Sequence, residues 1–594
     1  MDKDLECAQL AAGCLSNYLR GMQQQDQDIT SGWTIIFVER LKQCMEKFKN
    51  TKDTEQQHSP INQKQWWALT MQCLCALCSL VEMNHQALLN FVTKEESIDT
   101  LLTVLNISGK ELKKDKSDSP TSYTYIEKSA SYAAQTLHSA LDDNAELMMK
   151  WKGSGRGWNT ICQCCEEQSL PLVARLHCAG CLVAARLILE NEALQTNVIV
   201  FAMPLLYSCL YLNLDQKTLL MTNLQSCYKK FKDEEADSMM EKEIIRKVND
   251  RREPARVIAR RQKELKEQKK KDEAKSKVEH EDTDMEDKDE AAESMQQNDS
   301  NAREVFELAR EEWYKGMNPL ELALEITANL TGIQVISESN EDIDMDGSDN
   351  ERGNVDLSPI DSFLVEAIVK AKIPNRLVEI LETICKPLQS EVLPEVQDTI
   401  IDLQSKCGAC LGNCVGEIYP NWVDGLIQQL RCALEASNGN PCIANAMAAG
   451  LRSRSGLRKQ CQPSDLQILL KFATSKPPTC QKEAIEMLGI LCSCEDHEEE
   501  VNRKVCSTLL SISSKKADVI NEILNALMDI YGDDDCHPNV FDSLNVLAYF
   551  QQTTPSFKRI IQCDAEQASR DEVEQWEETL HNSSRFISYK KGNL

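Results

Sequence analysis

The sequence predicts an all-α protein, a right-handed superhelical solenoid of stacked helix pairs that is interrupted by long charged, disordered inserts. Apolar residues recur at the spacing of amphipathic helices along most of the 594 residues, and strand-like alternation is rare. The helix pairs recur about every 40 residues, and each pair can bury its apolar stripe only against its neighbours. Two charged stretches cannot bury a core. This pattern is typical of armadillo and HEAT repeats.

The helices before the first charged stretch form four predicted groups. Each group has an apolar stripe followed by a polar break. The groups are Leu5–Leu19 with Trp33–Phe48, Lys64–Met83 with Leu88–Leu105, Ile126–Leu141 with Met148–Ile161, and Leu170–Leu189 with the helices up to Tyr228. We therefore expect armadillo-like repeats over residues 1–232.

The helical pattern stops at a charged insert, 233–301, and resumes beyond it. Armadillo-like helices are expected over 302–337, followed by an acidic loop over 338–357 and HEAT-like repeats over 358–594. The apolar stripe returns in Ala302–Leu330 on the far side of the insert. The insert therefore interrupts a helical array and does not mark the end of a domain.

Charge divides the insert into a basic half and an acidic half. The basic half contains Arg251, Arg252, Arg260, Arg261, Lys263, Lys269, Lys270 and Lys271. The acidic half contains Glu279, Glu281, Asp282, Asp284, Glu286, Asp287, Asp289, Glu290 and Glu293. The second acidic loop contains Glu341, Asp342, Asp344, Asp346, Asp349 and Glu351.

Each half of the insert has two interpretations. The basic half is either a nuclear localisation signal or a solvated helix, because acidic residues interleave with its cations at pair-forming spacing. The acidic segments either imitate nucleic-acid phosphates toward a basic client or serve as a solubilising linker. Client binding by charge attraction should weaken steeply with salt.

The overall charge restricts the partners. A formal net charge of −28 and a pI near 4.9 argue against general nucleic-acid or anionic-membrane binding and favour a basic protein client. The N-terminus lacks the pattern of a secretory signal, so the 26 cysteines are expected to be thiols in a reducing compartment. The most apolar run, Val198–Leu214, is interrupted by polar residues and predicts a buried helix.

Several cysteine groups have spacings that resemble those of zinc ligands. They are Cys73, Cys75 and Cys78; Cys162, Cys164 and Cys165; Cys178 and Cys181 beside His177; Cys407, Cys410 and Cys414; and Cys492 and Cys494 near His497. Most lie within predicted helices, where such spacing favours small core residues over a tetrahedral site. A redox pair at Cys407 and Cys410 lacks the surrounding strand–helix crossover.

No catalytic, metal or cofactor motif is recognised. The chain has 8 histidines and lacks a phosphate-binding glycine loop, a nucleophile elbow and a His-Glu-x-x-His helix. Asp533, Asp534 and Asp535 lack the glycine and the following glutamate of a calcium loop, which favours a solvated turn. We expect a protein that is not an enzyme and needs no cofactor.

A small-residue motif ending near an asparagine recurs in three predicted helices. In armadillo repeats, an asparagine at this place often hydrogen-bonds an extended peptide on the concave face. The candidates are Asn17, Asn329 and Asn413. The alternative is that they are ordinary polar surface residues.

With these parts in order, the chain resembles the symportin family, adaptors that bring the ribosomal proteins of the 5S RNA particle into the nucleus together. The resemblance covers nearly the whole chain. It rests on the segments Ala11–Asn17, Leu322–Asn329, Ala484–Leu491 and Ser584–Tyr589, together with the two acidic tracts between the repeats.

The resemblance implies that the acidic insert binds one large-subunit ribosomal protein and that the solenoid groove takes a basic N-terminal peptide of another. It also implies an import receptor of the karyopherin type that engages a basic signal near the N-terminus. No basic leader precedes Asp4. We therefore expect either a natural start further upstream or an import signal at Arg251–Lys271.

The resemblance thus implies an adaptor and chaperone for basic large-subunit ribosomal proteins that shuttles between cytoplasm and nucleus, and the acidic charge predicts no direct nucleic-acid or membrane binding. Its acidic inserts would shield RNA-binding surfaces by competitive charge masking. A general interaction scaffold, such as a phosphatase or trafficking subunit, is the alternative and would be indifferent to the acidic segments. A direct import receptor would have to bind the Ran GTPase, and the chain is short for that role.

Overall fold

Helices make up every regular element in the ranges that the structure describes, so the predicted all-α class is confirmed. The structure is a computed structural model. It describes residues 11–15, 32–50, 60–83, 85–93, 95–114, 120–142, 144, 147–148, 155–189, 192–211, 220–232, 289–332, 359–385, 393–415, 426–453, 458, 461–475, 479–493, 498–533, 536–565 and 568–592.

The helices fall on both sides of the first charged stretch. Those before it are α1 (Trp33–Asn50), α2 (Pro60–Met83), α3 (His85–Val92), α4 (Glu95–Leu112), α5 (Pro120–Leu141), α6 (Gly155–Glu166), α7 (Leu172–Leu189), α8 (Glu192–Asn197) and α9 (Met203–Leu210). A π-helical turn, Val198–Ala202, joins α8 to α9, and residues 220–232 are helical.

The second set begins with α10, a long helix with Pro319 in its interior. It comprises α10 (Asp289–Thr331), α11 (Pro359–Lys370), α12 (Ile373–Ile384), α13 (Pro394–Val415), α14 (Leu426–Ala436), α15 (Pro441–Ser453), α16 (Pro463–Ala473), α17 (Gln481–Cys492), α18 (Glu499–Ser511), α19 (Ala517–Tyr531), α20 (Pro538–Ser543), α21 (Val546–Asp564) and α22 (Arg570–Gly592).

The chain divides into two compact units. The larger unit consists of Met1–Leu212, Pro319–Pro387 and Asp398–Leu594. The smaller unit consists of Asn213–Asn318 and Leu388–Gln397.

In the N-terminal part of the larger unit, helices pair and stack in two layers. Helix α1 packs on α2, α4 on α5, and α6 on α7. The second members also contact one another in order, α2 with α5 and α5 with α7, as do the first members. Each pair therefore buries its apolar stripe against the next pair, as in a helical-repeat solenoid.

The C-terminal part of the larger unit repeats this arrangement. The helices pair in order: α14 with α15, α16 with α17, α18 with α19, and α21 with α22. One layer, here called the second layer, contains α13, α15, α17, α19 and α22. The helices α15, α17, α19 and α22 of that layer contact each other in succession.

Small residues permit close packing between second-layer helices. A Cβ added to Gly408 of α13 would lie 2.8 Å from the backbone N of Ile443 in α15. A Cβ added to Gly489 of α17 would lie 2.7 Å from Cβ of Ala526 in α19. Glycine is required at both positions because any side chain would meet a neighbouring helix.

The smaller unit is organised around the part of α10 up to Asn318. The segment 220–232 packs on it through Leu224, which is buried, and through two aromatic rings. The ring of Phe306 lies 5.6 Å from Tyr228 and 5.4 Å from Phe231, measured between centroids. These contacts bury one face of α10 and leave the opposite face exposed.

Helix α10 begins at Asp289, because the segment 289–301 is rich in alanine, glutamate, methionine and glutamine, which favour helix. The bounds and the disorder predicted for the insert 233–301 stay predictions. One prediction for α10 needs correction. Val305 was expected in the buried stripe but is 48% exposed. Among the described helices, none has the length and apolar character needed to cross a membrane.

Candidate functional site

Most of the predicted client-binding residues lie outside the described residues. This applies to Glu279, Glu281, Asp282, Asp284, Glu286 and Asp287 of the insert, to the whole second acidic loop and to the eight cations of the candidate nuclear localisation signal. Asp289, Glu290 and Glu293 lie in the first turns of α10. Their roles stay predictions.

The three candidate asparagines differ in their surroundings. Asn17 lies outside the described residues, and Asn329 is half-buried on α10. The side-chain amide of Asn413 donates from Nδ2 to the carbonyl oxygen of Ala328 at 3.0 Å. That N–H links α13 to α10 within the chain, so Asn413 serves here in helix packing. A peptide role at Asn17, Asn329 or Asn413 stays a prediction.

A second feature of the α10–α13 contact is a lysine surrounded by carboxylates. The Nζ atom of Lys406 lies 2.8 Å from Asp402, 3.1 Å from Glu321 and 3.3 Å from Glu325. Spacing explains this convergence: 321 and 325 share one face of α10, and 402 and 406 share one face of α13. These four residues are called the Lys406 cluster.

The Lys406 cluster carries more negative than positive charge. Burial lowers the pKa of Lys406, but the hydrogen bonds that it donates to Asp402 and Glu321, together with the charges of those carboxylates, outweigh burial and raise the pKa to about 12. Lys406 is therefore charged throughout the physiological range. One cation offsets only part of the charge of three carboxylates, and all three remain partly accessible to solvent.

A second acidic group lies further along the second layer, on α17 and α19. It contains Glu483, Glu522 and Asp529, here called the α17–α19 carboxylates. Loss of solvent raises the pKa of each of the three, although Lys482 lowers the pKa of Glu483 and Glu522, and Arg452 lowers that of Asp529. Arg452 is itself paired with Glu486.

The raised pKa values indicate incompletely compensated negative charge. A carboxylate that has lost water without gaining enough hydrogen bonds or cations is energetically unfavourable as an ion. A lysine or arginine from a partner would supply the missing charge and hydrogen bonds at such a position. The second layer therefore offers cation-accepting positions on α13, α17 and α19.

The described residues hold no group of three or more His, Cys, Asp or Glu side chains arranged to bind a metal ion. The cysteines whose spacing resembled zinc ligands are buried core residues wherever the structure describes them. Cys494, His497, Asp534 and Asp535 lie outside the described residues.

Sequence reasoning missed both acidic groups of the second layer. The four-residue spacing of Glu321 with Glu325 and of Asp402 with Lys406 is visible in the sequence. It does not reveal which helices are neighbours, and pairs at this spacing also occur on ordinary solvated faces. The packing of α13 against α10 supplied the missing information.

Three comparisons with known proteins bear on these observations. Residues 362–594 match the protein family described as "SYO1-like, TPR repeats". No curated protein matches the chain. Among solved structures, the crystal structure of an engineered protein from the Northeast Structural Genomics Consortium is similar, with 13% identity, 96% of this chain and 98% of that chain covered, and a TM-score of 0.42.

The family description names tetratricopeptide repeats where the sequence predicted HEAT-like pairs, and both are stacked antiparallel helix pairs. The matched segment contains α12 to α22 and with them Lys406 and the α17–α19 carboxylates. The C-terminal region, 362–594, is thus similar to the SYO1-like family, which is the symportin family that the sequence resembles.

Proposed function

We propose that the chain is an adaptor and chaperone that binds basic large-subunit ribosomal proteins and supports their nuclear import and assembly with 5S RNA. The SYO1-like family suggests a non-enzymatic helical-repeat adaptor in ribosome biogenesis. The identity of the client, the karyopherin-type receptor, shuttling between cytoplasm and nucleus, and the 5S step belong to this proposal.

The observation that carries the proposal is the set of incompletely compensated carboxylates in the second layer. Glu483 and Glu522 are half-buried, and loss of solvent raises the pKa of both; it also raises the pKa of Asp529, although that side chain is exposed. Lys406 has three carboxylates around one cation. A lysine- or arginine-rich segment lying across these helices would replace the missing water. The acid-rich composition, with 94 Asp and Glu against 66 Lys and Arg, extends this preference to the whole chain.

Binding of this kind would act by competition with RNA. Ribosomal proteins bind RNA through cationic surfaces, so an acidic surface that covers those cations prevents premature binding of other nucleic acids. The same electrostatic origin makes release possible when 5S RNA offers a higher density of charge. Arg251–Lys271 is the proposed import signal, and the acidic halves at 279–293 and 341–351 are proposed to contact the client.

A triple variant tests the second-layer carboxylates directly. Glu483→Gln, Glu522→Gln and Asp529→Asn remove three charges with little change in shape. We expect the variant to bind purified basic large-subunit ribosomal proteins about tenfold more weakly at low salt, with a shallower dependence on salt. Affinity would be measured by titration calorimetry at several ionic strengths.

The matched control removes three charges from the other layer. It carries Glu382→Gln on α12, Glu435→Gln on α14 and Glu500→Gln on α18, and all three glutamates are exposed. This variant should bind like the unmodified protein. Equal weakening by both triple variants would mean that net charge alone drives binding, and capture of no large-subunit ribosomal protein by the intact chain would refute the proposal.

The scaffold alternative is favoured by one observation, an exposed apolar stripe at the π turn and α9. Val200 is 52% exposed, and Tyr207 and Tyr211 are each 38% exposed. A client held there would use apolar contacts, and its affinity would change little with salt. Substituting Tyr207→Ser would then weaken client binding, whereas removing the carboxylates would not.

A further inference from the structure

The exposed face of α10 in the smaller unit forms a shallow groove with mixed apolar and acidic character. It is lined by Glu304, Glu307, Leu308, Arg310, Glu311 and Tyr314 and encloses about 440 Å³. Leu308 is 57% exposed and Tyr314 is 44% exposed. Apolar side chains of this size, exposed together in a concave surface, are a common feature of interaction sites.

One wall of the groove is fixed by a bidentate ion pair. The guanidinium of Arg310 donates from Nε and Nη2 to the two carboxylate oxygens of Glu395, at 2.8 Å and 2.7 Å. The hydroxyl of Tyr314 donates to Oε2 of the same carboxylate at 3.1 Å. Glu395 lies in the first turn of α13, where the helix dipole favours a negative charge.

These contacts fix the charge and shape of the groove. Partial burial lowers the pKa of Arg310, but the charge of Glu395 and the hydrogen bonds to Glu395 and Tyr314 together outweigh it and raise the pKa. Burial and the bond to Glu395 both raise the pKa of Tyr314, so the phenol stays neutral. Glu395 thus neutralises Arg310, and the hydrogen bond to Glu395 fixes the position of Tyr314.

The other acidic side chains of the groove leave a net negative surface. Glu304, Glu307 and Glu311 follow one another at three- and four-residue spacing along one face of α10, on either side of Leu308. Oε2 of Glu307 lies 3.4 Å from Nη1 of Arg310, and Oε1 of Glu311 lies 2.9 Å from Nζ of Lys315. Both pairs are exposed, so they compensate little in water.

We propose that this groove binds an amphipathic basic helix of a client protein. Its apolar side chains would cover Leu308 and the ring of Tyr314, and its lysine or arginine side chains would meet Glu304, Glu307 and Glu311. The groove spans three turns of α10, about 15 Å, which suits a helix of similar length packed in a groove. A purely polar basic peptide would leave the apolar centre uncovered.

This inference rests on the proposed function, because the occupant is a segment of the same basic client. It adds a second recognition mode. The second-layer carboxylates require only cations, whereas the α10 groove requires cations and apolar side chains at helical spacing. The two modes therefore respond differently to salt and to apolar substitutions.

The test uses the full chain and a fluorescent synthetic peptide of leucine and lysine, with leucines on one helical face. A second peptide of the same composition in scrambled order serves as the reference probe. Fluorescence anisotropy should give tighter binding of the amphipathic peptide. Leu308→Gln should weaken it about tenfold, as expected for loss of one buried leucine contact.

The chain offers matched controls on the same helix. Val305 is 48% exposed and Glu312 is exposed, but neither lines the groove. Val305→Gln should leave peptide affinity unchanged, and so should Glu312→Gln. Glu304→Gln combined with Glu311→Gln should weaken the amphipathic peptide about three- to tenfold at low salt, with the effect vanishing at high salt.

The outcomes separate this inference from the proposed function. Equal affinity of unmodified protein and Leu308→Gln for the amphipathic peptide overturns the groove, and so does equal weakening by Val305→Gln. Because this probe is synthetic, the result stands whether or not ribosomal proteins bind. Conversely, if the chain binds the peptide at the groove but captures no ribosomal protein, the proposed function is refuted and the groove inference stands.

Discussion

Replacing Gly489 by alanine tests the close packing of the second layer. Gly489 is buried in α17, and an added Cβ would lie 2.7 Å from Cβ and 2.8 Å from Cα of Ala526 in α19. Carbon atoms attract each other at separations of about 3.5–4.0 Å and repel strongly below that. The backbone of α19 cannot rotate away as a side chain would, so α17 and α19 must separate.

Two opposing terms set the size of the effect. Alanine stabilises a helix interior by about 1 kcal/mol relative to glycine. Overpacking of a well-packed core costs about 1–3 kcal/mol and sometimes more. Because the clash is with a backbone atom as well as a methyl group, we expect the cost to dominate, with a net loss of about 1–2 kcal/mol.

Native-state hydrogen exchange is the appropriate assay, since a chain of two units is not expected to unfold in one step. Amides of α17 and α19 should lose roughly five- to thirtyfold protection, while α2 and α5 stay unchanged. Adding Ala526→Gly should restore part of the protection, because it removes the methyl group but leaves Cα at 2.8 Å.

Gly109→Ala provides the control. A Cβ at Gly109 of α4 would meet Glu167 Cγ at 3.5 Å and Leu170 at 3.7 Å, which are ordinary contacts. That substitution should stabilise α4 by up to about 1 kcal/mol. If Gly489→Ala stabilised α17 in the same way, the argument from close packing would be wrong.

Three further predictions concern charge. Glu522→Gln removes a carboxylate whose pKa is raised by loss of solvent, so it should raise the melting temperature of the unbound protein at pH 7 while weakening basic clients in calorimetric titrations. For the same reason, the penalty from Glu522 is present at pH 7, shrinks as the pH falls through its raised folded pKa, and is gone below the ordinary value of 4.5. Lys406→Met leaves three carboxylates without their shared cation and should lower stability by about 1–3 kcal/mol, measured by hydrogen exchange in α10 and α13. His138 and His177 are buried with their Nδ1 atoms 3.2 Å apart, and burial lowers the pKa of both. The stability that they contribute should therefore be complete above pH 6.5 and should be lost as the pH falls below that value. Hydrogen exchange in α5 and α7 should then become faster.

Each of these predictions has a result that contradicts it. An unchanged melting temperature in Glu522→Gln would mean that the carboxylate is adequately solvated. Full protection of α10 and α13 in Lys406→Met would show that the three carboxylates tolerate each other without a cation. Constant exchange in α5 and α7 between pH 7 and pH 5, while other helices respond, would show that the histidines do not control that contact.

The class of fold and most of the helices follow from the spacing of apolar residues along the chain. Apolar residues at helical spacing specify which face of each helix is buried, and that information is local. The burial of Cys407, Cys410 and Cys414 in α13 follows from it directly. The length of α10 was not predicted. The charge of residues 289–301 suggested disorder, whereas their helix propensity extends the helix beyond its packed part.

Which charged residues contact each other depends on how the helices pack. Glu321 and Lys406 are 85 positions apart, and Arg310 and Glu395 are equally distant, yet each pair is in contact. The reason is that helical periodicity fixes the direction of a side chain but leaves open which helix lies opposite. Asn413 shows the same limit. The sequence indicated an amide on a helix, but only the packing of α13 against α10 shows that it donates a hydrogen bond to the carbonyl oxygen of Ala328.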